Sequence, residues 1–166
     1  AVPRRVAGLG HVTNIASGAE HCVVVVEPGL AYSWGEGSMI GQGIFMGSGD
    51  ASEPKLLLSL SRKTVTQIAC GWRHTLILAS NEVYGFGGNR HGELGLFDWN
   101  HRFTPTLLRP VNGVIESPVD IACGGKHSLM LTNRGRIWAW GWNKWGQLGV
   151  GDIQNRFSPT LVCSAG

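Results

Sequence analysis

Long apolar runs are missing from this sequence: no stretch approaches the roughly 20 consecutive apolar residues that a membrane span needs. Charge is scarce too, at 15% of 166 residues, and the 14 Lys and Arg are scattered rather than massed, for a net charge of only +3. Binding to a phosphate backbone needs a concentrated basic stripe, so this pattern argues against nucleic acid as a partner. No C-x-x-C pair or mixed Cys/His cluster offers a metal site, and neither G-x-S-x-G nor G-x-x-x-x-G-K-[ST] occurs, which removes the familiar hydrolase and nucleotide-triphosphatase sites. These absences predict a protein that is not an enzyme and that carries neither metal nor cofactor. No charged-then-apolar leader opens the chain, which starts at Ala1 rather than Met.

What is present is a globular composition, 43% hydrophobic, punctuated by 25 Gly and 7 Pro. Such frequent punctuation suits many short strands joined by turns rather than uninterrupted helices. One phrase recurs at a fixed period: ASGAEHCVVVV from Ala16, ACGWRHTLIL from Ala69 and ACGGKHSLML from Ala122, with starts 53 residues apart. A repeat of this length is one supersecondary unit stacked on itself. Each unit carries a G-x-x-H frame (Gly18/His21, Gly71/His74, Gly124/His127), then an aromatic-Gly pair (Trp34-Gly35, Phe86-Gly87, Trp140-Gly141). A Gly-rich turn follows, GELGL from Gly92 and GQLGV from Gly146, and then an element led by Pro54, Pro105 or Pro159.

The spacing predicts four strands per unit. The first runs over Val12 to Ala16, Val65 to Ala69 and Val119 to Ala122; the second includes Cys22 to Val26, Thr75 to Leu78 and Ser128 to Leu131. The second strands are apolar on both faces and belong inside a stack of sheets. In the third, Ile137-Trp-Ala-Trp140 alternates, putting both tryptophans on one face. The fourth is an outer strand beginning at the proline, which lacks the N–H that a central ladder requires. Four short strands per unit of this length match a propeller blade. The expected fold is all-β, a partial β-propeller of three four-stranded blades within one repeat domain, residues 1–166. The repeats span residues 12–58, 65–109 and 119–163, preceded over residues 1–11 by an outer strand at Pro3-Arg-Arg-Val6 and a linker. Propellers close with about four to eight blades. Three therefore imply a segment of a longer ring or self-association to complete one.

The pattern V-x-x-I-x-x-G-x-x-H, aromatic-Gly, N-x-x-G-Q-L-G, Pro-x-x-Val resembles the regulator of chromosome condensation repeat, whose family forms seven-bladed β-propellers. The first repeat departs most, since Gly41-Gln42-Gly43 lacks the Leu. The resemblance implies a protein-interaction scaffold. One alternative is the family's founding activity, nucleotide exchange on a Ran-like small GTPase, which resides in inserted loops for which the proline spacing leaves no room here. The other comes from Gly71-Trp-Arg-His-Thr75, which is similar to a motif of plant ultraviolet-B photoreceptors. There, clustered tryptophans absorb and arginines pair across a homodimer; only Trp72 and Arg73 carry over, because the same slots hold Ala19-Glu20 and Gly125-Lys126 in the flanking repeats.

Recurrence of the three histidines first suggests a site, but equivalent positions in a propeller spread around an arc, so His21, His74 and His127 are expected to tie down their own blades through backbone groups near the Gly turns. Gly18, Gly71, Gly124, Gly35, Gly87 and Gly141 are likewise assigned to architecture. Cys70 and Cys123 fall in one slot of successive repeats, where Ser17 stands in the first, and read as small residues at strand ends. That reading favours a reducing compartment, nucleus or cytoplasm. Information about a partner sits in the slots that change inside the constant frame. Trp72, Arg73, Lys126, Trp142, Lys144, Trp145, Arg90 and His91 are the candidate partner-binding residues, since Trp and Arg dominate interface energetics. Their positive charges favour a protein with an acidic surface.

Overall fold

The computed structural model of the chain describes residues 2, 4–43, 49–109 and 116–162. Among the described residues twelve strands form three separate four-stranded antiparallel sheets. The first holds β1 (Val12–Ser17), β2 (His21–Val26), β3 (Leu30–Gly35) and β4 (Ala51–Leu56). The second holds β5 (Val65–Cys70), β6 (His74–Ala79), β7 (Glu82–Gly87) and β8 (Arg102–Leu107). The third holds β9 (Pro118–Cys123), β10 (His127–Thr132), β11 (Ile137–Gly141) and β12 (Arg156–Leu161). Each sheet is a simple meander in sequence order, and a 3-10 turn, Leu58–Leu60, links the first to the second. These are three propeller blades.

The blades stack face to face, and β6 shows why its sequence is apolar throughout. Ile77 and Ala79 pack with Val23, Val25 and Ala31 of the first blade, whereas Leu76 and Leu78 pack with Ile121 and Trp140 of the third. Alternation therefore serves two cores at once. Among the described residues only one face of β10 has such a neighbour, and Leu131 on that strand is exposed. Trp138 and Trp140 do share a face, both in the core between the second and third blades. Trp140 and Phe86 are completely buried, a contribution of roughly 2–3 kcal/mol each.

The outer strand differs from expectation in one respect. Pro54, Pro105 and Pro159 do not begin their strands but stand fourth of six residues, on the edge of each sheet. The ladder explains it: the register between third and fourth strands shifts between Ser33/Gly35, Gly85/Gly87 and Ala139/Gly141. A bulge on an edge strand is where a residue without an N–H costs nothing. Pro3 lies outside the described residues, and Arg4 to Val6 of the expected preceding outer strand adopt no strand conformation. Cys163 also lies outside them.

The glycine of each aromatic-Gly pair is required by its backbone. Gly35, Gly87 and Gly141 have φ of 118°, 96° and 105°, and a side chain there would strike the carbonyl of Glu20, Arg73 or Lys126. This close approach joins the two variable slots of every blade. Glu36, Gly88 and Trp142 donate their N–H groups to those same carbonyls at 2.9, 2.6 and 2.8 Å.

Candidate functional site

The histidines act between blades, which corrects the expectation that each secures its own. His21 Nε2 lies 2.8 Å from Thr75 Oγ1, and His74 Nε2 lies 3.0 Å from Ser128 Oγ. Ser128 has one hydroxyl proton, donated to the Glu93 carbonyl at 2.7 Å, so His74 must donate through Nε2–H. The same carbonyl accepts Trp140 Nε1–H at 2.8 Å, fastening the third blade to the Gly-rich turn of the second. Burial drives His21 down to about 4 and His74 to about 3, so both are neutral donors or acceptors rather than charges. Among the described residues His127 has no such hydroxyl opposite it. The acceptor slot, one residue after each His, was available in the sequence as Thr75 and Ser128 inside otherwise apolar runs.

The loops after β1, β5 and β9 form a second set of inter-blade links. Ala19 N–H donates to the Trp72 carbonyl at 3.0 Å, and Trp72 N–H to the Gly125 carbonyl at 2.9 Å. This chain of backbone bonds is indifferent to side chains, which leaves the variable residues free to differ while fixing where they stand. Between the second and third blades they converge. Lys126 Nζ sits 5.5 Å from the Trp72 ring and 5.4 Å from the Trp142 ring, a cation held between two indoles. Trp72 is 59% exposed, with the faceless Gly125 beneath its indole. His91 meets Trp142 edge-on at 6.2 Å and 89°.

Beside this stack opens a cleft of about 410 Å³ lined by Trp72, Arg73, Arg90, His91 and Lys126 together with Ser38, Gly88, Glu93, His101 and Phe103. Arg73 faces Glu20 at 3.6 Å and Glu36 at 3.9 Å, both outside hydrogen-bond reach. Glu93 is buried and accepts the His91 N–H at 2.7 Å; Gln147 does the same for Trp145 at 2.9 Å one repeat later. The structure thus brings six of the eight candidates together. Lys144 and Trp145 stand apart as their own pair at 5.3 Å, with Trp145 76% exposed. Sequence reasoning missed Glu93, His101, Phe103 and Ser38. Glu93 carried a signal, a carboxylate where the sister turn has an amide; His101 lies in a loop closed by Asn89, whose N–H donates to His101 Nδ1 at 3.1 Å.

Among the described residues no group of three or more His, Cys, Asp or Glu could hold a metal ion, and no helix is long and apolar enough to cross a membrane. Cys22, Cys70 and Cys123 are free, and burial pushes the Cys70 and Cys123 thiols up to about 11 and about 12, far from the reactive range.

The sequence pattern of the Regulator of chromosome condensation (RCC1) repeat matches residues 28–78, 80–131 and 134–166. The chain belongs to the RCC1 repeat family. The first two matches each begin at or just before the third strand of one blade and end within the second strand of the next, so the family's sequence unit straddles the inter-blade seam on which His21 and His74 lie. A second RCC1 pattern matches residues 65–93 and 119–147. Among curated relatives, a human protein named Probable E3 ubiquitin-protein ligase HERC4 is 41% identical over 113 residues, covering 67% of this chain and 10% of that protein. Ultraviolet-B receptor UVR8 of Arabidopsis thaliana is 32% identical over 152 residues, 89% of this chain and 33% of that protein. The chain spans a third or less of the length of these relatives. Among solved structures, human WBSCR16 superposes with a TM-score of 0.81 at 25% identity, covering 95% of this chain and 42% of that one. Prp20p of Saccharomyces cerevisiae, a structure described together with its binding to Gsp1p and histones, gives 0.79 at 25% identity, covering 95% and 40%. The RCC1 repeats of this chain therefore form a partial propeller of a type used for protein interaction.

Proposed function

We propose that this chain is the interaction face of an RCC1-type propeller, binding a protein partner through the loops around Trp72, Arg73, Lys126 and Trp142. The observation that carries the reading is the contrast within the G-x-x-H loops. Their backbones repeat the Gly-to-His bond at Gly18, Gly71 and Gly124, and Ala19 and Trp72 each donate to the next loop's carbonyl, yet their side chains change from Ala19-Glu20 to Trp72-Arg73 to Gly125-Lys126. Residues free of structural duty and rich in Trp, Arg and Lys supply contact area and charge together. About 800 Å² per partner, a standard interface, fits across two such blades. Arg90, His91, Lys144 and Trp145 extend the surface on either side, and a partner with acidic groups answers its positive sites. No chemical step is assigned to the chain. A soluble compartment, nucleus or cytoplasm, suits its free thiols.

The test is affinity capture with the full chain, comparing Trp145→Ala and Trp72→Ala with the parent. Loss of a partner with an unchanged melting temperature supports the reading. Loss that tracks a lowered melting temperature would mean that these indoles are packing residues and would end it. A second reading, light reception, draws support from the Trp72–Lys126–Trp142 stack and the likeness to UVR8. Size-exclusion chromatography before and after ultraviolet-B irradiation decides it, since an unchanged elution volume removes it. Exchange on a small GTPase is the third reading, supported only by the likeness to Prp20p, and fails if nucleotide release from such a GTPase is not accelerated.

A further inference from the structure

The cleft between the second and third blades gathers three cationic side chains, and this narrows what it accepts. Arg73, Arg90 and Lys126 line it together with the carboxylate of Glu93, and Glu20 and Glu36 stand by Arg73 at 3.6 and 3.9 Å. Glu93 is already committed to the His91 N–H. None of the three cations gives up a hydrogen-bonded carboxylate on binding. Arg73 has its glutamates only at 3.6 and 3.9 Å, Lys126 rests on indole faces, and Arg90 makes no ion pair among the described residues.

A further donor belongs to the same wall. Because His101 Nδ1 accepts the Asn89 N–H, a neutral His101 carries its proton on Nε2, and that N–H has no acceptor among the described residues. Trp72 and Phe103 supply apolar walls on which a chain bearing an anion can lie. Towards the first blade the arrangement is opposite in character, since the corresponding slots hold Glu20 and Glu36, which face Arg73. The cationic side chains are thus gathered in one cleft rather than spread as a stripe, which fits a point anion better than a polyanionic backbone.

Resting on the interaction reading above, we infer that this cleft is the binding site for a phosphorylated serine or threonine side chain of the partner. A phosphomonoester carries about −1.5 to −2 charge near neutral pH, more than a lone carboxylate can set against Arg90, Lys126 and Arg73. It also offers three acceptor oxygens to guanidinium, ammonium and imidazole donors arranged around it.

The experiment is an NMR titration of the full chain, following the indole N–H signals of Trp72 and Trp142. The probes are a short phosphoserine peptide, the same peptide with glutamate in that position, and inorganic phosphate. The phosphopeptide should bind saturably and about tenfold more tightly than the glutamate peptide, with affinity falling as the pH drops below about 6 and the dianion protonates. Arg90→Gln and Lys126→Gln should each weaken it about tenfold, while Lys144→Gln, outside the cleft, should not. Equal binding of the glutamate peptide, or insensitivity to Arg90→Gln, overturns the inference. Inorganic phosphate binding as tightly as the peptide overturns it in favour of a free-anion site. A partner that is captured through Trp72 and Trp145 regardless of its phosphorylation sinks this inference and leaves the interaction reading standing.

Discussion

Acidification probes the inter-blade histidines more directly than any substitution. In the unfolded chain His21 and His74 titrate near 6.5, whereas burial holds them at about 4 and about 3 in the fold. As pH falls, the unfolded chain therefore binds protons first. Stability is complete above pH about 6.5 and is lost progressively towards the folded values, at about 1.4 kcal/mol per pH unit for each histidine. Moving from about pH 7.5 to about pH 5 traverses roughly 1.5 units of that window, so each residue removes about 2 kcal/mol and the pair about 4. That is a large share of the 5–15 kcal/mol typical of a folded domain.

The window separates this effect from that of the carboxylates. Glu82, Asp98, Glu116 and Asp152 are held below their ordinary values, mainly by hydrogen bonds and by Lys63, Arg102, Arg136 and Arg156, so their loss begins only nearer pH 4. Urea denaturation followed by tryptophan fluorescence at a series of pH values would measure the slope. His74→Gln, which keeps a donor but cannot titrate in this range, should remove about half of it. A denaturation midpoint that stays constant between about pH 7.5 and about pH 5 would refute the burial argument outright.

Three further outcomes follow from the same contacts. Ser128→Ala leaves the His74 Nε2–H buried without an acceptor and should cost about 1–3 kcal/mol in chemical denaturation, while Ser128→Thr, the residue found at position 75, should be nearly neutral. Phe97 holds φ of 63° in the turn position where the other blades have Gly43 and Gly151, at 89° and 88°, and its side chain is half exposed. Phe97→Gly should therefore stabilise by about 0.5–1 kcal/mol, left-handed strain of about 1–2 kcal/mol outweighing the added freedom of the unfolded chain; a lowered melting temperature would show that the ring's packing prevails. Alkylation near pH 8 should leave Cys70 and Cys123 unmodified in the native chain, and rapid labelling read by mass spectrometry would contradict their raised pKa values.

The blade framework was readable because periodicity and backbone need point the same way. The first and second strands of each blade begin and end within a residue or two of the expected positions, as β5 (Val65–Cys70) and β6 (His74–Ala79) show, since an apolar run flanked by Gly permits little else. Prolines misled by their position, not their role: an edge bulge, visible only in the ladder, tolerates Pro105 in mid-strand. Direction was the harder quantity. The 53-residue repeat says that His74 and His127 are equivalent, but not that His74 reaches forward to Ser128, because a period carries no information about which neighbour a side chain faces. The cleft divides along the same line. Trp72, Arg73 and Lys126 were found by comparing loops of constant length, whereas Phe103 matches Phe157 of the next repeat and so reads as part of the frame, and His101 stands where that repeat has Asn155 in the same turn-closing role. Yet it is this far wall that turns an exposed aromatic and basic patch into a concave site. A repeat protein discloses in its sequence the residues that vary on a fixed backbone; the partners they meet across the seam are fixed by stacking, and stacking is where His74, Ser128, Glu93 and Trp140 become one structure.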